Sequence, residues 1–385
     1  MGEPDPLGFS PSAWEAYAAA QDWPAYRGRQ IFDALHRRGV RDYARATELP
    51  GPVREQLTRE RPIRLPEIAR REESADGSVK FGLRLADGAL IEAVFMPGDE
   101  RTARVNEFAD ARVGSNPKSE IRNRKTGSER HTERHTVCLS SQTGCAVDCA
   151  FCVTGRLGAG RNLTAGEVLG QLYAVLDAVG RTWDGLRIVF MGMGEPFLNP
   201  EGVLPALEIL FEMLPPRRVT VSTSGITPAF AAFSALSRRP NLAVSLNAAD
   251  EATRAKLMPI TRTYPLPDLL AAMKAWPLEP RRRILVEYVL IAGVNDRLED
   301  AKRLAKLLAG LPVKVNLIPL NEDPTYLPGW KRPDEPVIDR FARALADAHL
   351  TVTVRRSKGP DASAACGQLK GRTEDPRKRA PQAGR

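Results

Sequence analysis

From Thr136 to about Arg356, short apolar runs alternate with amphipathic stretches, and no other feature of the sequence narrows the possible folds as much. Segments 137–139, 187–190, 219–223, 242–246, 284–290, 313–317 and 351–354 are short, apolar and bounded by turn residues, as strands are. Between them, 165–179, 203–214, 229–236, 298–308 and 337–346 carry helical periodicity. The start signals agree. Thr164-Ala165-Gly166-Glu167 fits a capping box, and Thr227-Pro228 sets a cap before a proline of the first turn. Repeated strand–helix units predict an α/β fold with a parallel sheet, open or curled into a partial barrel. In such folds functional groups gather at the C-terminal ends of the strands.

Residues up to about 68 read as helical and basic. In Tyr26-Arg27-Gly28-Arg29-Gln30-Ile31-Phe32-Asp33-Ala34-Leu35-His36 the residues Ile31, Ala34 and Leu35 share a face ringed by arginines. Pro50 and Pro52 punctuate this region, and Pro62 and Pro66 close it. An accessory domain over 1–75 follows, either a helical bundle with a solvated basic face or a unit that grips RNA. A β-hairpin connector is expected over 76–100, because Val79-Lys80-Phe81-Gly82-Leu83-Arg84-Leu85 alternates, Asp87-Gly88 turns and 90–96 returns. From 101 to 135 the chain has nine Lys/Arg against five Asp/Glu and a single aromatic, Phe108. That composition buries too little surface to offset ordering entropy, so a basic disordered insertion is expected. The core would span 136–369, and 370–385 a frayed basic tail.

Over 385 residues, Lys+Arg 56 against Asp+Glu 47 leaves +9, which by itself only favours a polyanionic partner such as RNA. No apolar run approaches the ~18 residues of a membrane span. The start lacks a secretory pattern, and neither end carries a lipidation box. A cytoplasmic protein away from membranes, and a monomer, is expected.

Five cysteines are too few for a disulfide scaffold, and four of them, Cys138, Cys145, Cys149 and Cys152, fall within fifteen positions. Cys145-Ala146-Val147-Asp148-Cys149-Ala150-Phe151-Cys152 is a C-x3-C-x2-C run after a predicted strand and the turn Thr143-Gly144. Taken by itself it leaves open a zinc site short of its fourth ligand, an iron–sulfur cluster with one open iron, or core cysteines. One strand later comes Met191-Gly192-Met193-Gly194-Glu195-Pro196.

The cysteine run and the Gly-Glu-Pro element together resemble the radical S-adenosylmethionine (SAM) superfamily. Within it, Cys138-Leu139-Ser140-Ser141-Gln142-Thr143-Gly144-Cys145, Arg161-Asn162-Leu163-Thr164, Val221-Ser222-Thr223-Ser224-Gly225, Val315-Asn316-Leu317-Ile318-Pro319 and Ala364-Ala365-Cys366-Gly367-Gln368-Leu369 resemble the RlmN/Cfr family of RNA methyltransferases. That resemblance implies a partial (β/α)6 radical SAM barrel. It implies a [4Fe-4S] cluster on Cys145, Cys149 and Cys152, with the SAM methionine group chelating the fourth iron. It also implies SAM contacts from Gly194, Glu195, Ser222, Ser245, Leu246, Asn247 and Asn321. Cys366 would be the methyl-carrying cysteine, Cys138 the thiol that resolves the adduct through a transient disulfide, and Glu92 the base that takes the C2 proton. Two SAM molecules would be used per turnover. The substrates would be 23S ribosomal RNA and tRNA, methylated at adenine C2 (adenine 2503 and adenine 37), with a flavodoxin-type electron donor. Three places depart from the family pattern: Asn247 where His is usual, Asn321-Glu322-Asp323 in place of a Pro-Gly-rich run, and Lys358-Gly359-Pro360-Asp361 ahead of Cys366. A Cfr-type enzyme methylating C8 is the alternative, and a zinc-stapled RNA-binding protein is the alternative of another class.

Overall fold

A computed structural model describes residues 5–98, 134–355 and 367–369. The insertion expected over 101–135 lies almost wholly outside the described residues, as do the tail and Cys366. One ten-stranded sheet runs through the molecule in sequential order. Its strands are β1 (Glu67–Glu73), β2 (Val79–Arg84), β3 (Leu90–Pro97), β4 (His135–Cys138), β5 (Leu186–Phe190), β6 (Val219–Thr223), β7 (Asn241–Ser245), β8 (Ile284–Leu290), β9 (Val313–Pro319) and β10 (Thr351–Val354). The first four pair antiparallel and the last seven, β4 to β10, pair parallel. No pairing of β1 with β10 occurs among the described residues, so the strand–helix repeat forms a partial barrel rather than a closed one.

The segment 67–73, which the sequence reading ran into the helical domain, is strand β1. Its burial pattern is mostly exposed, and its charged run Arg70-Arg71-Glu72-Glu73 gives no apolar alternation to read. Backbone pairing to β2 makes it a strand. The expected hairpin is present. Gly88 takes φ +83, the left-handed conformation that favours glycine, and Asp87 Oδ1 accepts from Ala89 N at 3.0 Å.

Ahead of the sheet lie helices α1 (Pro11–Ala20), α2 (Tyr26–Phe32) and α3 (Gly51–Glu60). Ser10 caps α1, with Pro11 at its first position. Trp14, Ile31, Phe32, Leu35 and Leu57 are fully buried and belong to the same core as the barrel. The barrel's helices are α4 (Val153–Arg156), α5 (Ala165–Val179), α6 (Pro200–Met213), α7 (Phe230–Ser234), α8 (Glu251–Leu257), α9 (Leu266–Ala275), α10 (Leu298–Leu308) and α11 (Glu335–Asp347). The capping box at Thr164 and Glu167 is formed, and Gly180 ends α5 with φ +63.

Strand alternation sorts the barrel into two faces. Ile188, Val221, Val244, Val286 and Val315 are fully or almost fully buried and pack into the shared core with the helices. The opposite, inner face carries Cys138, Ser222, Ser245, Glu287 and Asn316, of which Ser245, Glu287 and Asn316 stand side by side in the register.

Candidate functional site

The loop after β4 is stitched to the loop after β5. Gly192 N donates to Leu139 O at 3.0 Å, Ser141 N to Met193 O at 2.8 Å, and Glu195 N to Gln142 Oε1 at 2.8 Å. Gly194 has φ +94, and a Cβ there would stand 2.5 Å from Gln142 Cβ. The close approach of these two loops therefore requires glycine at 194. Asn199 completes the seam, its Nδ2 donating to Ser141 O and Leu163 O at 2.8 Å each.

Glu195 is buried, and each of its oxygens is engaged. Oε1 accepts from Phe197 N at 3.0 Å, and Oε2 accepts from Ser224 N and Ser224 Oγ at 2.7 Å each. Burial pushes its carboxyl above the usual carboxylate range, while these donors pull it back. A cation arriving beside Glu195 would favour its charged form and gain a charge-assisted hydrogen bond.

Cys145, Cys149 and Cys152 lie on one loop at the same end of the barrel, each partly buried. Burial pushes the Cys145 thiol up to about 12, and the charges of Cys152, Glu195 and Asp148 push the same way. Cys149 is raised well above the ordinary thiol range, first by burial and then by Cys152, Cys145 and Glu195. The three thiols are thus near enough to oppose one another's ionisation. Among the described residues no three His, Cys, Asp or Glu side chains are drawn in to the spacing of a metal's ligand shell. The donor chemistry nonetheless suits an iron–sulfur cluster, since three partly buried thiols that oppose one another's ionisation are what a strongly positive group converts to thiolates. Cys145, Cys149 and Cys152 would hold it.

Cys138 ends β4, buried and on the inner face, opposite Val94 in the register. Glu92 lies two residues from Val94 on the same face of β3 and is only 3% exposed, which rules out a solvent-facing strand carboxylate. Its backbone oxygen accepts from Ser140 Oγ at 2.6 Å, and its Oε1 stands 3.8 Å from Lys80 Nζ. Glu92 and Cys138 therefore belong to one patch, beside the seam that leads to Glu195. The four described cysteines are unbridged.

The remaining expected SAM contacts divide. Ser222 is buried on the inner face, its Oγ bonded to Glu287 Oε2 at 3.0 Å. Ser245 and Leu246 sit at the end of β7 and offer backbone oxygens. Asn247 has φ +60, a conformation asparagine tolerates better than most residues. Its Oδ1 accepts from Val289 N at 2.8 Å and its Nδ2 reaches Met258 Sδ at 3.2 Å, so its amide is used within the fold. Asn321 follows β9, partly buried, at the same end of the barrel. Gly367 O accepts from Val153 N at 2.8 Å, Leu369 O from Thr154 Oγ1 at 2.7 Å, and Gln368 Nε2 donates to Glu322 O at 3.2 Å. The described residues just after Cys366 are thereby tied to α4 and to the turn after β9.

Two site residues escaped the sequence reading. Glu287, inside β8, is a buried carboxylate among Ser222, Asn316 and Arg355, held above the usual range by burial and pulled down by those three. Arg254, in α8, is fully buried. Its guanidinium donates to Ser224 O at 2.6 Å, Leu246 O at 3.1 Å, Ser245 O at 3.3 Å and Thr261 Oγ1 at 2.7 Å. Cys149 is the charge that acts on it most, ahead of Glu251. A hydrogen bond from Ala150 N to Leu257 O at 2.8 Å ties the cysteine loop to the same helix.

The Radical SAM superfamily model matches residues 139–308. A dual-specificity RNA methyltransferase RlmN of Geotalea uraniireducens is 42% identical over 97% of this chain and 98% of its own length. The protein of the same name from Geobacter sulfurreducens is 40% identical over 96% and 93%. A radical SAM methyltransferase from Sphaerobacter thermophilus, known as a crystal structure, superposes with a TM-score of 0.82 at 37% identity, covering 96% of this chain and all of that one.

Proposed function

The chain belongs to the RlmN family of dual-specificity RNA methyltransferases, within the radical SAM superfamily, and from that premise we propose that it methylates C2 of an adenine in 23S ribosomal RNA and in tRNA. The observation that carries this reading is a convergence at one end of the barrel. The three loop thiols, Glu195, and the inner-face pair Glu92 and Cys138 gather there, and the residues that follow Cys366 are hydrogen-bonded to the same region.

C2 of adenine is an electron-poor aromatic carbon, so direct attack on a sulfonium methyl is unavailable to it. When bound, the cluster and SAM supply a transferable methyl group and, from a second SAM, a radical able to take hydrogen from an S-methyl group. Cys366 carries the methyl, its thiolate being a soft nucleophile for displacement at carbon. Glu195 and Gly194 hold the methionine ammonium end of SAM, while Ser222, Ser245, Leu246, Asn247 and Asn321 meet the rest of the molecule. Glu92, with Lys80 Nζ 3.8 Å from its Oε1, takes the C2 proton from the RNA adduct. The Cys138 thiolate then attacks the Cys366 sulfur: an S–S bond forms, the bond from that sulfur to the adduct methylene breaks, the methylene takes up a proton to become the methyl group, and a dithiol-type reductant returns the disulfide to thiols for the next turnover. No helix among the described residues is long and apolar enough to cross a membrane; the RNA substrates place the enzyme's work in the cytoplasm. A flavodoxin-type protein supplies the electrons, and the enzyme acts as a monomer.

The test is anaerobic reconstitution with iron and sulfide, followed by assay with reductant, SAM and RNA transcripts and mass spectrometry of the nucleosides. A brown protein with about four irons per chain that yields 2-methyladenosine is expected. Methyl at C8 would reassign it to the Cfr type, and a colourless zinc protein without activity would overturn the reading. Cys366→Ala should reduce methylation to background while SAM cleavage continues. Cys138→Ala should trap protein on RNA as a covalent adduct visible on a denaturing gel; free turnover by that variant would remove Cys138 from the mechanism.

A further inference from the structure

The end of the barrel opposite the cysteine loop carries a layer of polar side chains that the methyltransferase reaction does not use. Register pairing defines it. Thr136 of β4 stands beside Arg187 of β5, Thr220 of β6 beside Asn241 of β7, and Lys314 of β9 beside Thr351 of β10. Arg187 is two residues before Val189, which pairs with both Cys138 and Thr220, and Lys314 is two residues before Asn316, which pairs with Glu287. All of these therefore point to the inner face, near the N-terminal ends of the strands. Arg134, Arg218 and Arg283 flank the layer from the residues leading into β4, β6 and β8.

Five cations thus meet at one mouth. Burial first, and then the charges of Arg134 and Arg218, oppose the charged form of Arg187; burial, and then Arg187 and Arg283, do the same to Lys314. The interspersed residues are hydroxyls and one amide. Arg283 Nη1 donates to Thr351 Oγ1 at 2.5 Å, while the Asn241 amide is used within the fold, its Nδ2 donating to Arg217 O at 2.9 Å and Val219 O at 3.2 Å and its Oδ1 accepting from Arg282 Nη1 at 2.9 Å. Burial is partial, so a ligand can enter: Arg187, Arg283 and Lys314 stay exposed, and Thr136 and Thr351 half-buried. A rim of guanidinium, ammonium and hydroxyl donors, whose cations repel one another, favours negative charge beside it. A tetrahedral oxyanion supplies that charge and accepts from every donor type present.

We propose that this N-terminal mouth of the barrel is a phosphate-binding site, distinct from the SAM end. Free phosphate and the phosphate of an RNA backbone present the same oxygens to these donors.

The full chain is melted in low-salt buffer without phosphate, then with increasing sodium phosphate, against sodium chloride of matched ionic strength. Phosphate should raise the melting temperature saturably and chloride should not. Arg187→Gln and Lys314→Gln should each weaken the phosphate response by about tenfold in midpoint concentration, the scale of one charge-assisted contact. The doubly substituted chain should also melt higher than the parent in the absence of phosphate, because like-charge repulsion is relieved. A purely structural role for these side chains predicts the opposite sign. Arg187→Lys should retain the response, which separates charge from misfolding. Fluorescence anisotropy with a short oligouridylate, which lacks adenine, identifies the source. Weaker binding by the double variant assigns the site to RNA backbone, and unchanged binding beside a lost phosphate response assigns it to free phosphate. Overturning results are a parent without a phosphate-specific shift whose double variant binds the oligonucleotide normally, or a double variant that keeps the shift.

Discussion

Arg254 places a positive charge where water cannot reach, and the four oxygens that accept from it are neutral. Burial pulls its guanidinium down to about 10, which still leaves it charged at neutral pH. One planar group spans the turn after β6, the turn after β7 and the turn after α8, so it fixes the spacing of Ser224, Ser245 and Leu246 relative to the cysteine loop. Lysine, with one nitrogen, cannot reach all of them. Arg254→Met should leave the Ser224 and Ser245 carbonyls without their donor, Leu246 O keeping Ala248 N at 2.8 Å, and cost roughly 2–4 kcal/mol in denaturant unfolding, at about 1–3 kcal/mol for each buried unsatisfied group. SAM affinity by equilibrium dialysis should fall with it, and Arg254→Lys should recover only part of both losses. Unchanged stability and affinity in Arg254→Met would show that the turns hold themselves. This residue was illegible in the sequence for a physical reason. An arginine in an amphipathic helix reads as solvated, and only the packing of α8 under two strand ends turns it inward. Glu287 was hidden likewise, as one carboxylate in an otherwise apolar strand. Cys145, Cys149, Cys152 and Glu195 were legible because their spacing is local, and the loops that carry them join directly.

At the scale of elements, the contact between the helical domain and the barrel rests on a buried histidine. His36 follows α2, and its Nδ1 stands 2.6 Å from the hydroxyl of Tyr173 on α5. Trp183 Nε1 donates to His36 O at 3.0 Å. Burial and the nearby Arg41 guanidinium lower its pKa to about 3. The folded form is thus depressed below the unfolded value of about 6.5, so between those values the unfolded chain binds more protons. His36 therefore costs stability as pH falls through about 6.5 toward 3, at up to about 1.4 kcal/mol per pH unit. Asp5 works in reverse. Burial raises it to about 6, and its contribution is fully present below the unfolded value and lost as pH rises through about 6. The two partly cancel in the parent, so the informative quantity is a difference. Between pH 7 and 5, His36→Gln should lose less unfolding free energy than the parent does. Parallel pH profiles for the two proteins would remove His36 from this account. Strand and helix order across the barrel was legible because repeated local patterns built it, and Val219–Thr223, Ile284–Leu290 and Thr351–Val354 fall at their expected bounds. Strand β1 and the short helices α8 and α9 were not, because pairing and packing rather than periodicity hold them in place.

Across the whole molecule, the boundary between the accessory region and the barrel disappears in the sheet. The strand order is unbroken from β1 to β10, with the antiparallel meander continuing into the parallel repeat through the β3–β4 pairing. One core runs from Leu7 through Trp14 and Phe81 to Leu345. Separate stability would need separate cores, and the apolar surfaces of the helical region are spent on the barrel instead. The chain should therefore unfold in a single transition, although its size makes intermediates common in general. Trp14 is fully buried among the N-terminal helices, and Trp276 is nearly so beside Phe230 in the barrel. Variants that retain one or the other as a local fluorescence probe should give coincident urea midpoints, matching far-ultraviolet circular dichroism. Saturating SAM with the reconstituted cluster, which bind only at the barrel, should then raise the midpoint reported by Trp14 as much as that reported by Trp276, since ligand binding stabilises whatever unfolds as one unit. A Trp14 transition that precedes the Trp276 transition and ignores SAM would mean that the helical region folds as a unit of its own, with the shared core too weak to couple it.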